Sequence, residues 1–274
     1  MSGNPDSETP LLTGKHYGSP AVFQVESMLR ETRRQRSLPE GRVPEICVLD
    51  PDGDIVSRLV QAKQAVPDPY WACYHTVLHR FELRGRPVGI IGCAVGGPFA
   101  VLLAEQLFAS GCELLMSITS AGRIVPVRNP PYFVLIEKAL RDEGTSHHYL
   151  PPARYVGMKP ELSAWITDVL RTHSPRIEIG ASWTTDAPYR ETQESIEVAS
   201  ADGILAVEME AASLYAFAEA KQCPVVCFAH ITNCMGVDEG DFEKGDADGT
   251  VASLRLIEVV ADAWSKRSRN SAPF

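Results

Sequence analysis

The chain has 274 residues, of which 45% are hydrophobic and 22% charged, with a formal net charge of −9. That length and apolar fraction suit one large α/β domain or two small ones, with a substantial core. The acidic balance argues against nucleic acid or an anionic membrane as the main partner, but leaves room for a small anionic substrate in a local basic pocket.

Residues 1 to about 40 are rich in Ser, Pro, Gly and charge. They predict an extension with one short helix over Ala21 to Arg36, whose Arg30, Arg33, Arg34 and Arg36 form a solvated face or meet a second subunit. The polar start carries no signal-peptide core. Pro39 to Pro44 is a connector, and the domain is expected to run from 41 to 274. From Glu45 the chain alternates. Glu45 to Leu49 predicts a buried strand, Asp50 to Asp54 an acidic turn, and Ile55 to Ala65 a helix with Ile55, Leu59 and Ala62 on one face. Tyr74 to Leu83 and Val88 to Cys93 predict strands. Gly96-Gly97-Pro98 then opens a helix over Phe99 to Ser110. The uncharged run from Val88 to Ala104 reaches the lower length limit of a membrane span, but that glycine turn breaks it.

Leu114 to Thr119 predicts a buried strand followed by Ser120-Ala121-Gly122. Tyr132 to Leu140 predicts another strand. Pro160 to Thr172 is a helix closed by His173-Ser174-Pro175. Ile177 to Thr184 is a strand and Arg190 to Ser200 a helix. Ile204 to Val207 and Pro224 to Ile231 are strands flanking a helix over Ala211 to Gln222. Val251 to Ser265 is a last helix with Leu254, Ile257, Val260, Ala261 and Trp264 on one side. The pattern predicts one α/β domain with a central, largely parallel or mixed β-sheet flanked by helices. There is no internal repeat.

There are seven cysteines. Cys47, Cys93, Cys112, Cys223 and Cys227 lie in or beside apolar runs, which suits buried, reduced thiols and a cytoplasmic setting. Cys223-Pro-Val-Val-Cys227 has neither redox nor zinc spacing. No metal or organic cofactor is expected.

The chemistry-bearing residues fall at strand ends, where α/β folds place ligands. Gly96-Gly97-Pro98 before a helix is a possible anion cradle. Glu208 and Glu210 flank Met209 where a buried strand passes into a helix. A helix N-terminus favours such acids by about 0.3–1 kcal/mol, which is their structural explanation. Asn233 after a buried strand offers a two-point hydrogen bond to an amide-like ring, or serves as a turn residue.

The order of these runs is more specific than any one of them. Val88 to Ala100, Ile118-Thr-Ser-Ala-Gly122, Arg141 to Ser146 with His148-Tyr149, Thr184-Thr-Asp-Ala-Pro-Tyr189, Val207-Glu-Met-Glu-Ala-Ala212 and Ile231-Thr-Asn233 together resemble the nucleoside phosphorylase superfamily. That group holds hexameric-type purine nucleoside phosphorylases, uridine phosphorylases and methylthioadenosine nucleosidases. The resemblance covers about Glu45 to Trp264 and implies cleavage of a nucleoside N-glycosidic bond in a nucleoside-phosphorylase-like fold. It also implies a homo-oligomer, a dimer or trimer of dimers, whose pocket is completed by a neighbour, with Tyr74, His75 and His79 as the contributing residues.

By the same resemblance Glu210 holds the ribose hydroxyls and favours a cationic transition state. Met209 packs under the sugar, and Glu208 is a further lining acid. Gly96, Gly97, Ser120, Ala121 and Gly122 line the nucleophile side. Thr184, Asp186 and Tyr189 line the base side. Asn233 stands where adenine-cleaving members carry a proton-donating aspartate, which tilts the base towards a 6-oxopurine, a uracil-like ring or a modified base. The family's three phosphate-binding arginines have no counterpart here: the matching positions fall in Leu49 to Gly53, at Ser117 and near Tyr74-His75. Asp54 instead aligns with the acid that handles water in hydrolytic members. Hydrolysis is therefore expected ahead of phosphorolysis, with a catalytically silent nucleoside-binding protein as the alternative of another class.

Overall fold

The computed structural model describes residues 9–173, 177–235 and 241–268. In chain order the elements are α1 (Val25–Arg36), β1 (Ile46–Asp50), α2 (Asp54–Gln61), β2 (Ala65–Pro67), β3 (His79–Leu83), β4 (Arg86–Gly92), α3 (Gly97–Ala109), β5 (Leu114–Arg123), β6 (Tyr132–Asp142), α4 (Ser146–Tyr149), β7 (Tyr155–Gly157), α5 (Pro160–His173), β8 (Ile177–Thr185), α6 (Gln193–Ala201), β9 (Ile204–Glu208), α7 (Ala211–Lys221), β10 (Val225–Asn233) and α8 (Thr250–Ser268). Among the described residues no helix is long and apolar enough to cross a membrane.

The strands form one mixed sheet. β1 lies between β4 and β5, parallel to both, and all five of its residues are buried, as expected of a strand covered on two faces. β5 pairs in parallel with β10, which is antiparallel to β6; β6, β8 and β9 run parallel to one another. β9 then returns to β5 in antiparallel pairing, Gly122 opposite Val207 and Arg123 opposite Ala206. Strands β5, β10, β6, β8 and β9 thus close on themselves, while β1, β4, β3 and β2 extend from β5.

Helix α7 is buried on all sides from Ala211 to Ala218, so it is an internal element rather than an amphipathic cover. Its Tyr215 hydroxyl donates to Ile136 O and accepts from Cys227 N–H, tying the helix to β6 and β10. α3 crosses α7 closely. A Cβ on Gly97 would lie 2.1 Å from Ser213 Oγ, so this position has no room for a side chain.

Several expectations need correction. Ser120-Ala121-Gly122 lies inside β5, which runs four residues beyond Thr119. The strand expected over Tyr74 to Leu83 begins only at His79. Before it the chain folds on local bonds: Trp71 Nε1 donates to Thr76 Oγ1, and His75 N–H to Cys73 Sγ. The first helix starts at Val25 rather than Ala21. Its arginines do not share one fate. Arg30 and Arg34 are exposed, whereas Arg36 donates to Cys73 O and Tyr74 O and docks the helix on the body. Cys93 is exposed, with φ +60 at the end of β4. The expected helix stop at Ser174-Pro175 lies outside the described residues.

Gly97→Ala is expected to lower stability by about 1–3 kcal/mol, the usual cost of overpacking a tight contact. Urea denaturation of the two chains measures it; equal midpoints would mean that α3 can move away from Ser213 freely.

Candidate active site

The two acids of the β9–α7 junction have opposite environments. Glu208, the last residue of β9, is buried, and four donors converge on it. Ser182 and Thr184 hydroxyls donate to Oε1; the N–H groups of Glu210 and Ala211 donate to Oε2, both at 2.7 Å. Thr184 also accepts from Ala212 N–H at 2.9 Å. Burial pushes the Glu208 pKa up, and its hydroxyl and amide donors pull it back. These donors occupy the carboxylate, so Glu208 and Thr184 anchor the α7 N-terminus rather than line a pocket.

Glu210 is the N-cap residue of α7 and is 1% exposed. Its Oε1 accepts from Gly96 N–H at 2.6 Å. Its Oε2 is buried with no hydrogen-bond partner. Burial, followed by the charge of Glu208, pushes its pKa up to about 8. β9 ends at Glu208 after pairing with the end of β5, and two residues on the Glu210 carboxyl lies beside the Thr119 hydroxyl of β5. Gly96 has φ +88, a backbone state that suits glycine and turns its N–H towards Glu210.

Other expected residues gather around this acid. Ser120 is half-buried on β5 and donates to Asp52 Oδ1 at 2.9 Å. Gly122 pairs with Asn233, and a Cβ there would lie 3.4 Å from Asn233 Oδ1. Ala121 is buried behind them, and Met209 is half-buried between the two acids. Asn233 is committed locally: its Oδ1 accepts from Met235 N–H at 2.9 Å, and its Nδ2 donates to Thr232 Oγ1 at 3.3 Å.

Two expectations change. Asp54 is not a free base, because its Oδ2 lies 2.5 Å from Lys244 Nζ. Tyr189 is fully exposed on the turn Pro188–Arg190, and Asp186 accepts from Gly144 N–H at 2.8 Å, so neither encloses a base within this chain. Tyr74 and His75 are exposed and belong to the α1 side, where the Tyr74 hydroxyl donates to Gln35.

Lys244 was not foreseen. It lies in the acid-rich run before α8, and a single lysine there was the signal available. Its ammonium pairs with Asp54 and, at 3.3 Å, with Asp52. Burial lowers its pKa, but the two carboxylates outweigh that and raise it. Among the described residues no cluster of three or more His, Cys, Asp or Glu side chains is arranged to hold a metal ion.

The two acids predict different phenotypes. Glu208→Ala strands buried donors and is expected to cost roughly 3 kcal/mol or more in denaturant unfolding. Glu210 responds to pH. Between its ordinary 4.5 and about 8, the folded chain keeps a proton that the unfolded chain has released. Its contribution is complete below that window and is lost as pH rises through it. Melting curves below, within and above the window should show Glu210→Gln gaining on the parent as pH rises; a constant gap contradicts the burial argument.

A family model described as the phosphorylase superfamily matches residues 45–264. The chain is similar to a uridine phosphorylase of Thermococcus kodakarensis, at 22% identity over 70% of this chain and 73% of that one. A guanosine phosphorylase of Halorubrum lacusprofundi is 27% identical over 81% of this chain and 83% of that one. Among solved structures, a uridine phosphorylase from Vibrio fischeri superposes with a TM-score of 0.66 at 18% identity, over 80% of this chain and 92% of that one. A purine nucleoside phosphorylase from Toxoplasma gondii gives 0.68 at 14% identity, over 84% and 93%. With the matched region running from just before β1 into α8, the chain belongs to the phosphorylase superfamily.

Proposed function

We propose that this protein cleaves the N-glycosidic bond of a nucleoside, with Glu210 holding the ribose hydroxyls. The observation that carries this reading is the buried Glu210 carboxyl with one oxygen on Gly96 N–H and the other unpartnered. An unpaired buried carboxyl oxygen is costly, and two sugar hydroxyls would satisfy it. As the leaving base takes the bonding electrons, the sugar becomes oxocarbenium-like. Two ribose hydroxyls donating to Glu210 favour its ionised form on binding, its proton being released to solvent; positive charge then develops beside that carboxylate, so the interaction is stronger in the transition state than in the ground state. No metal or organic cofactor enters this mechanism.

Water is our first choice of attacking group. The side chains that meet at the first loop, Asp52, Asp54 and Lys244, carry net negative charge, which opposes a phosphate anion. Asp52, hydrogen-bonded to Ser120 and paired with Lys244 at 3.3 Å, is better placed to orient water than Asp54, which lies 2.5 Å from the same ammonium. The second reading is phosphorolysis to ribose 1-phosphate. The relatives' names, uridine phosphorylase and guanosine phosphorylase, favour it, and Lys244 is the cation that would serve it. The base is proposed to be a 6-oxopurine, a uracil-like ring or a modified base, bound near Asn233. A second copy of the chain would close that open side, bringing Tyr74 and His75.

Turnover of a nucleoside panel with and without phosphate tests both readings. Free ribose formed without phosphate is expected; strict phosphate dependence would replace hydrolysis by phosphorolysis. Glu210→Gln should lower kcat/KM by about 100-fold or more. Saturable nucleoside binding with no turnover on any substrate, unchanged by Glu210→Gln, would leave a binding protein.

A further inference from the structure

The first loop, Asp50 to Asp54, and the segment before α8 meet at one ammonium, and that segment is tied down on both sides of it. Glu243 N–H donates to Thr232 O at 2.8 Å, and Asp241 accepts from Cys234 N–H at 2.8 Å, so the chain folds back onto the end of β10. After Lys244, Gly245 takes φ +85 beside Pro131, and Gly249 lies against the His230 ring with no room for a side chain. The backbone of Lys244 is thus fixed by β10 and its surroundings, independently of what its side chain touches.

The side chain then crosses to the first loop. Lys244 Nζ lies 2.5 Å from Asp54 Oδ2 and 3.3 Å from Asp52 Oδ2. Asp52 Oδ1 accepts from Ser120 Oγ at 2.9 Å. The Asp52 carboxylate is therefore held at both oxygens, one by a cation and the other by a hydroxyl of β5. A carboxylate has about four lone-pair sites, so these two contacts leave room for a water. The loop itself rests on the turn that follows β4. Cys93 N–H donates to Asp50 O at 3.0 Å, and a Cβ on Gly92 would lie 3.2 Å from Gly53 Cα. Gly96, in the same turn, is bonded to Glu210.

Without the ammonium, Asp52 and Asp54 are two like charges in one short loop, with Asp50 buried at its start. Like charges so close repel, and Asp52 would be free to swing from Ser120 into solvent. The side chains of Lys244, Asp52 and Asp54 are 30%, 28% and 34% exposed. Ion pairs so open to water add little to stability. What this pairing supplies is position.

We propose that Lys244 is a positioning residue of the cleavage reaction: by holding Asp52 against Ser120 it gives the attacking water one ordered carboxylate. This rests on the hydrolytic reading of the Glu210 site. The oxygen of water bonds to the anomeric carbon as the glycosidic electron pair leaves with the base. The proton that water sheds leaves through Asp52 to solvent, and the base nitrogen takes one from solvent. Lys244 touches neither water nor sugar and acts through Asp52.

Phosphate-free steady-state kinetics of the full chain on inosine, guanosine and uridine test the proposal. Lys244→Met keeps the apolar stem and removes the charge. It is expected to lower kcat about tenfold or more, with KM changed less than about threefold and a melting temperature close to that of the parent. Lys244→Arg should restore most of kcat. Asp52→Asn also lowers kcat, and adding Lys244→Met to it should lower kcat no further, because the lysine acts through that carboxylate. The proposal is overturned by an unchanged kcat in Lys244→Met, by Lys244→Arg faring no better than Lys244→Met, or by losses that multiply in the double variant. Glu210→Gln separates it from the reading on which it rests. A parent with no phosphate-free turnover, or with turnover indifferent to Glu210→Gln, removes both together. Turnover that depends on Glu210 and not on Lys244 removes this proposal alone.

Discussion

The site depends on the carboxylate of Glu208. It is buried, it ends β9, and it gathers two hydroxyls and two backbone N–H groups into one hydrogen-bonded knot. That knot holds the first residues of α7 in place. A helix N-terminus buried in a core leaves several N–H groups in need of acceptors, and a carboxylate is the strongest available. With Glu208 supplying them, Glu210 is spared that task. Its own carboxyl turns towards Gly96 and Thr119 and keeps one oxygen unpaired. Two acids two residues apart thus divide into an anchor and a carboxyl with one oxygen left unpaired. Glu208's charge in turn adds to burial in pushing the Glu210 pKa up.

The second constraint is charge at the first loop. Asp50 is buried and pushed up to about 6 by that burial, while its Oδ2 accepts from Val56 N–H and holds the start of α2. Asp52 and Asp54 are left to face the site. Lys244 reaches them from a segment nearly 200 positions away in sequence, a segment also tied down by Glu243 N–H to Thr232 O. A lysine paired to two carboxylates is largely neutralised, so it does not make the loop a strong phosphate cradle.

Lys244 also lines a cleft beside the first turn of α8, so one ammonium faces that cleft on one side and the acidic first loop on the other.

The sequence by itself determined the element order and the core strands, because buried runs such as Ile46 to Leu49 and Val225 to Ile231 are apolar whatever they pair with. It also marked the strand-to-helix acid pair and the glycine turn, since those motifs are local. Spacing alone could not tell Glu208 from Glu210, and only the family resemblance separated them. The difference arises from Ser182 and Thr184 on β8 and from Gly96 after β4, which are distant in sequence. It did not show that β9 runs antiparallel to β5, the pairing that sets the β9–α7 junction beside β5. It placed Asp54 as a base because the ion pair with Lys244 spans 190 positions and leaves no local trace. Periodicity and spacing record which face of an element is buried. Which charges meet across the site is decided by strand order, and that belongs to the tertiary structure alone.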